Sequence, residues 1–229
     1  IKHNFHRFHL GCPAVIGGLA TLGLWLLPFS DTIRIAAMLW IVALFLVTAF
    51  FWKKETVHLL TITLISLWGM KLFAYIFTQW CSFTLVEILI SLLSGLIVSL
   101  AFYTMNLGHF YLNVHGLKIN HLKTATIVFA VLLLLRMLWN VYFLSTGHVL
   151  YGGEYVSMPS FMATMDGFML WIAIFFGTLF PLGATYFAFG TLKLKNTQAT
   201  TGILYVLLSA VLLGDLAYKY YLLKYAIPL

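Results

Sequence analysis

Apolar stretches about as long as a membrane-spanning helix follow one another along almost the whole chain. A helix needs roughly 20 consecutive apolar residues to cross the hydrocarbon core of a bilayer. Such stretches cover about 11–29, 34–52, 57–79, 84–108, 123–145, 163–191 and 200–223. The sequence therefore predicts an all-α, polytopic membrane bundle of seven transmembrane helices, folded as a single domain over residues 1–229.

Composition points the same way and excludes the soluble classes. Hydrophobic residues make up 62% of the chain and charged residues only 8%, whereas soluble domains carry about 25% charged residues. The net charge of +7 is explained by membrane topology, so we expect no nucleic-acid partner. The two cysteines form no CxxC or CxxCH pattern. That spacing argues against covalent haem, zinc or an iron–sulfur cluster held by this chain alone.

The basic residues are distributed unevenly between the two sides that the seven spans define. Eight lie in the N-terminal segment and the second, fourth and sixth loops, namely Lys2, Arg7, Lys53, Lys54, Lys118, Lys123, Lys193 and Lys195. Three lie on the opposite side, namely Arg34, Lys219 and Lys224. By the positive-inside rule, this asymmetry predicts a cytoplasmic N-terminus and an extracytoplasmic C-terminus in the cell inner (cytoplasmic) membrane.

Three charged residues fall at similar depth inside the third, fifth and seventh spans. They are Lys71, Arg136 (in "VLLLLRMLWNVYFL") and Asp215, and their offsets from the span starts agree within about 3 Å at about 1.5 Å per residue. An intramembrane charge is costly and needs a partner. We therefore predict that Asp215 pairs with Arg136, directly or through one water, with Asn140 one turn away. Lys71 is then the surplus charge of this intramembrane polar layer and is expected to face a polar cavity. The alternative is that the pair only pins two helices together.

Histidines collect on the predicted cytoplasmic side. The segment "NLGHFYL" places His109 beside Tyr111 at the end of the fourth span, and His58 begins the third. One interpretation is simply a wet, basic surface. A second is a quinone headgroup site formed by His109, Tyr111 and His58, because a histidine and a tyrosine can bond the carbonyls and pass protons. A b-type haem, for which His58 and His109 would be the ligands, is not expected, and neither is a bound metal.

The function predicted from these features is a membrane subunit of a respiratory or other redox complex. No Walker loop, HExxH or other catalytic motif is present, so the chain would at most be a non-catalytic subunit of an oxidoreductase complex. It would be poor in cofactors, would contact quinone or conduct protons through the buried layer, and would have membrane lipid and partner subunits around it. The alternatives are a stand-alone transporter or channel for ions or small solutes, and a membrane-embedded enzyme acting on lipid-like substrates.

Overall fold

The computed structural model describes residues 3–114 and 117–229, with the backbone only at residues 3, 4 and 80. Contacts between Cα atoms divide the chain into two compact units, Ile1–Thr84 and Leu85–Leu229. Each unit is described by itself below. The prediction of a single seven-helix domain therefore stays a prediction.

The first unit contains three helices, α1 (His3–Gly23), α2 (Asp31–Phe51) and α3 (Leu59–Cys81). The central helix, α2, packs against both of the others. Its Trp40 donates a hydrogen bond from Nε1 to the carbonyl oxygen of Ile65, at 3.1 Å. A Cβ at Gly69 would lie 2.8 Å from the Trp40 ring, so the glycine gives the indole room to reach the backbone of α3.

The first helix ends earlier than the sequence predicts. The apolar stretch runs to about residue 29, but α1 stops at Gly23 and a turn covers 24–28. Arg34, in the first turns of α2, donates to the carbonyl oxygens of Leu24 (3.4 Å) and Leu27 (2.9 Å). These bonds satisfy acceptors that the end of a helix leaves open. Hydropathy continues through the turn, so it does not mark where the helix ends.

The second unit is a four-helix bundle in which one of the four rods is interrupted. Its helices are α4 (Leu85–Asn113), α5 (Asn120–Thr146), the short α6 (Met158–Met162), α7 (Met165–Ile174), α8 (Phe180–Lys193) and α9 (Thr197–Tyr225). A π-helical segment, Phe175–Leu179, joins α7 and α8 into one rod. Helix α4 packs against α5 and α9, and α8 packs against the same two helices. Helices α5 and α9 therefore face each other across the centre of the bundle.

The π-helical segment lies directly before Pro181, the second residue of α8. Pro181 has no N–H to donate to the carbonyl four residues earlier, and the chain widens just before it: Phe180 N–H bonds Phe175 O. At the same place α9 comes very close, because a Cβ on Gly214 would lie 2.1 Å from the backbone nitrogen of Gly177. The two glycines allow the backbones to touch.

A β-hairpin occupies part of the segment between the predicted fifth and sixth spans. Strands β1 (His148–Tyr151) and β2 (Glu154–Ser157) pair antiparallel. The two residues between them, Gly152 and Gly153, have φ of +63° and +90°, as the favoured two-residue hairpin turn requires. Val149 of the hairpin shares a buried apolar cluster with residues of α6, α7 and α9 and the segment after α9. The hairpin therefore packs onto the second unit as part of its core.

Six helical segments of the described residues are long and apolar enough to cross a membrane. They are α2, most of α3, α4, α5, the rod α7–π–α8 and α9. The chain is an all-α, multi-pass membrane protein apart from its short hairpin. Helix α1 is not among the six.

Candidate functional site: a buried polar cluster around Arg136

Arg136 lies at the centre of the second unit, held by carbonyl oxygens and an aromatic ring. It is 1% exposed. Nη1 donates to the carbonyl oxygen of Ile90 at 3.4 Å, and Nη2 donates to the backbone oxygen of Leu229. The guanidinium carbon is 4.2 Å from the centroid of the Tyr218 ring. A desolvated cation over an aromatic face gains about 2 kcal/mol or more, which helps to offset the cost of burying this charge.

The hydroxyl of Tyr218 belongs to a closed triangle of hydrogen bonds in the core. Asn140 donates from Nδ2 to the Tyr218 oxygen at 2.6 Å and to Thr178 Oγ1 at 3.3 Å. The Thr178 and Tyr218 oxygens are 2.9 Å apart. All three residues are buried. The triangle joins α5, the π-helical segment and α9, so it fixes the rod and both diagonal helices relative to one another.

Asp215 bonds residues other than the predicted partner. Its carboxylate accepts from Lys219, one turn along α9, and from the Ser94 hydroxyl of α4. Among the described residues no ion pair joins it to Arg136, so the direct form of the predicted pair is absent, and the form bridged by one water stays a prediction. Since α5 and α9 lie diagonally, the guanidinium meets the ring of Tyr218 first, while Lys219 reaches Asp215 along its own helix. Equal depth did not imply contact.

Two small cavities flank the guanidinium. Both are lined by Ser94, Arg136 and Tyr218. The first also meets Asp215, and the second also meets Ser91 and Lys219. Each has a volume of about 10 Å³, close to the minimum that one water molecule requires. A bridge of one water between Asp215 and Arg136 therefore fits this geometry.

The fourth residue of the predicted polar layer, Lys71, belongs to the first unit. It lies on an exposed face of α3, with Tyr75 one turn further on and also exposed. The structure thus brings Arg136, Asn140 and Asp215 into one cluster, whereas Lys71 is described only within its own unit. The prediction that Lys71 faces a polar cavity stays a prediction.

The three residues of the predicted quinone site have separate surroundings. His58 precedes α3 in the first unit, and its carbonyl oxygen accepts from Ile62 N–H. In the second unit, His109 Nδ1 is 3.3 Å from the hydroxyl of Tyr205 on α9. The hydroxyl of Tyr111, the predicted companion, donates to the carbonyl oxygen of Lys118 instead. The tyrosine beside His109 in space is thus Tyr205.

Several members of the cluster were missed from the sequence. They are Ser94, Thr178, Tyr218 and Lys219. One signal was present, because Asp215 and Lys219 have the i, i+4 spacing at which opposite charges meet on a helix. The two hydroxyl residues and the tyrosine are uncharged, so a search for intramembrane charges passes over them.

No group of three or more histidine, cysteine or acidic side chains suited to a metal occurs among residues 3–114 and 117–229 whose side chains are described. Comparison with known proteins finds no matching family model, no matching curated protein and no matching solved structure. The function must therefore be argued from the cluster itself.

Proposed function

We propose that this chain is a proton-conducting membrane subunit of a respiratory or other redox complex in the cell inner membrane. The observation that carries the proposal is the placement of Asp215. Its carboxylate lies between a half-exposed amine, Lys219, and a cavity of about 10 Å³ beside the buried Arg136. A titratable acid that is linked to both the surface and the interior is what proton transfer across a membrane protein requires.

The small size of the cavities favours protons over larger solutes. A transported solute would need a site large enough to surround it, whereas each space beside Arg136 has room for one water. A stand-alone transporter is the second candidate, and it would need a conformation in which these spaces widen. The Gly177–Gly214 contact, where the two backbones touch, is the place at which such a movement would have to occur.

Quinone contact is the further part of the proposal, and His109 remains its candidate residue. Its ring and the Tyr205 hydroxyl lie together on the surface of the second unit, so both can reach a headgroup at the side of the bundle. An imidazole can donate a hydrogen bond to a quinone carbonyl and pass a proton to it. Tyr111 and His58 contribute only if partner subunits or the first unit bring them close. No haem is proposed at His58 and His109.

The proposed topology has seven spans, with α1 and the turn after it as the first. Residues 11–29 supply the apolar length for this span, and the basic asymmetry supports a cytoplasmic N-terminus. With Cys12 and Cys81 replaced by serine, single cysteines at Asn196 and Glu154 test the orientation. An impermeant maleimide added outside intact cells should label position 154 and spare position 196. Labelling of position 196 instead would overturn the orientation.

Proton flux through the purified complex tests the function. The tagged chain is purified from its native membrane, and we expect redox partners to accompany it. After reconstitution into liposomes with a pH-sensitive dye inside, Asp215→Asn should reduce proton flux at least tenfold. Glu154→Gln is the matched control, because it removes an exposed acid in the hairpin and should conduct normally. Normal flux in Asp215→Asn would contradict the proposal, and purification of an active chain without partners would favour the transporter.

A further inference from the structure

The buried cluster contains polar atoms that no protein group satisfies. Among the described side chains, Arg136 Nε, Ser91 Oγ and Asn140 Oδ1 are buried and lack a protein hydrogen-bond partner. Leaving such an atom unsatisfied destabilises the fold, and more so if the atom is charged. Native proteins meet this cost with ordered water wherever a polar space is large enough. Arg136 and Ser91 both line such spaces.

The first cavity has the polar partners that a bound water needs. Its polar lining consists of Ser94, Arg136, Asp215 and Tyr218, and the remainder is apolar except for the backbone at Gly177. A buried water typically makes about three hydrogen bonds. Here the carboxylate can accept, the guanidinium can donate, and the hydroxyl of Ser94 lies beside them. The space is too small for a second molecule.

The second cavity also borders Arg136, and it reaches Lys219. Ser91, Arg136 and Lys219 line it, together with Ser94 and Tyr218. A water here would satisfy the Ser91 hydroxyl and meet the amine of Lys219, whose side chain is 48% exposed. This cavity thus lies between the surface and the buried charge.

We propose that two water molecules bind at Arg136, one bridging it to Asp215 and one connecting Ser91 to Lys219. The first water joins two groups of hydrogen bonds that protein atoms leave separate. One group is Lys219, Asp215 and Ser94, and the other is Arg136 with the backbone oxygens of Ile90 and Leu229. The site is selective for water because of its volume. The role of these waters as a proton path rests on the proposed function, but their binding does not.

Solid-state NMR in lipid bilayers tests the binding without any mutation. The chain has three arginines, and only Arg136 follows a leucine, so paired labelling of leucine carbonyl carbon and arginine nitrogen assigns it. We expect the Nε–H of Arg136 to show magnetisation transfer from water although the residue is 1% exposed. Absence of transfer at Arg136, with transfer present at the surface arginine Arg34, would overturn the proposal.

A matched pair of valine substitutions gives an independent test. Val211→Ile adds one methyl group to the lining of the first cavity, while Val206→Ile adds the same group on an exposed face of α9. If water is bound in the first cavity, Val211→Ile displaces it and reduces the transfer from water to the Nε–H of Arg136. If the cavity is dry, Val211→Ile leaves that transfer unchanged, which would refute the first water site. Val206→Ile should leave the transfer unchanged in either case.

Failure of the water site and failure of the proposed function can be told apart. Water transfer at Arg136 with unchanged proton flux in Asp215→Asn would keep the binding site and reject conduction. Loss of flux in Asp215→Asn with no water at Arg136 would keep conduction and reject this route. The NMR transfer at Arg136 decides the water site, and the proton flux in Asp215→Asn decides the proposed function.

Discussion

The contact between α9 and the π-helical segment leads to a sharp prediction for Gly214→Ala. The added Cβ would lie 2.1 Å from Gly177 N and 2.2 Å from Gly177 Cα, whereas ordinary contacts begin near 3.4 Å. The backbones would have to separate by more than 1 Å, since neither atom belongs to a side chain that can swing away. Overpacking of this kind costs about 1–3 kcal/mol and sometimes more. We expect at least the upper figure here, because the movement also disturbs the hydrogen-bonded triangle.

The same chemical change on the same helix should have the opposite sign at Gly202. A Cβ there meets nothing within 4 Å, and replacing a helical glycine by alanine stabilises a helix by up to about 1 kcal/mol. Unfolding by sodium dodecyl sulfate in mixed micelles, followed by circular dichroism, measures both variants against the wild type. Gly202→Ala should be equally or more stable and Gly214→Ala clearly less stable. If Gly214→Ala were as stable as Gly202→Ala, the described close approach of the backbones would be wrong.

Three further predictions concern the cluster and the hairpin. Tyr218→Phe keeps the ring beneath the cation but removes the hydroxyl from the triangle, so the free energy of unfolding should fall by about 1–3 kcal/mol. Tyr218→Leu also removes the ring and should lower the free energy of unfolding by about 2 kcal/mol more; the same micelle titration measures both variants. Arg136→Lys keeps the charge but not the planar guanidinium that reaches two backbone oxygens, so the free energy of unfolding should fall by about 1–3 kcal/mol. Wild-type stability of this variant would contradict the hydrogen bonds to Ile90 and Leu229. The hydrogen bond that Tyr151 donates to Asp166 raises the pKa of its phenol. The stability that this bond adds should therefore be complete below the ordinary pKa of about 10 and be lost as pH rises through the higher pKa of the folded state. Melting curves of Tyr151→Phe should lack that loss at alkaline pH.

The helices and the buried arginine could be predicted from sequence because both follow from the physics of the bilayer. Apolar length marks a spanning helix, and an intramembrane charge must face inward. Arg136 is buried accordingly, and Asn140, one turn away, is buried on the same side. The hydrogen-bond partners of Asp215 could not be predicted from apolar length and intramembrane charge. Offsets along a helix give depth, but contact also depends on which side chain of the facing helix points at the charge, and on α9 that side chain is Tyr218 rather than Asp215.

The β-hairpin and the π-helical segment differ in how clearly the sequence indicates them. The hairpin carries a signal in "HVLYGGEYVS", since two glycines between short β-prone runs favour a tight turn. The π-helical segment has no comparable sequence mark. Pro181 shows only that one backbone bond is missing, and the chain can respond with a kink, a break or a widened turn.

The widened turn in the sixth span also changes the phase of the helix that follows it. An α-helix advances by about 100° per residue, from 3.6 residues per turn, so one additional residue in a turn rotates everything after it by roughly that angle. The faces of α8 are therefore offset from those that a helical wheel drawn from α7 would assign. Deleting one residue within Phe175–Leu179 would restore a regular helix and turn α8 by about a quarter of a circle. Thr185 and Ala188, which are now buried, would then leave the interior, so the extra residue determines which side of α8 the bundle uses.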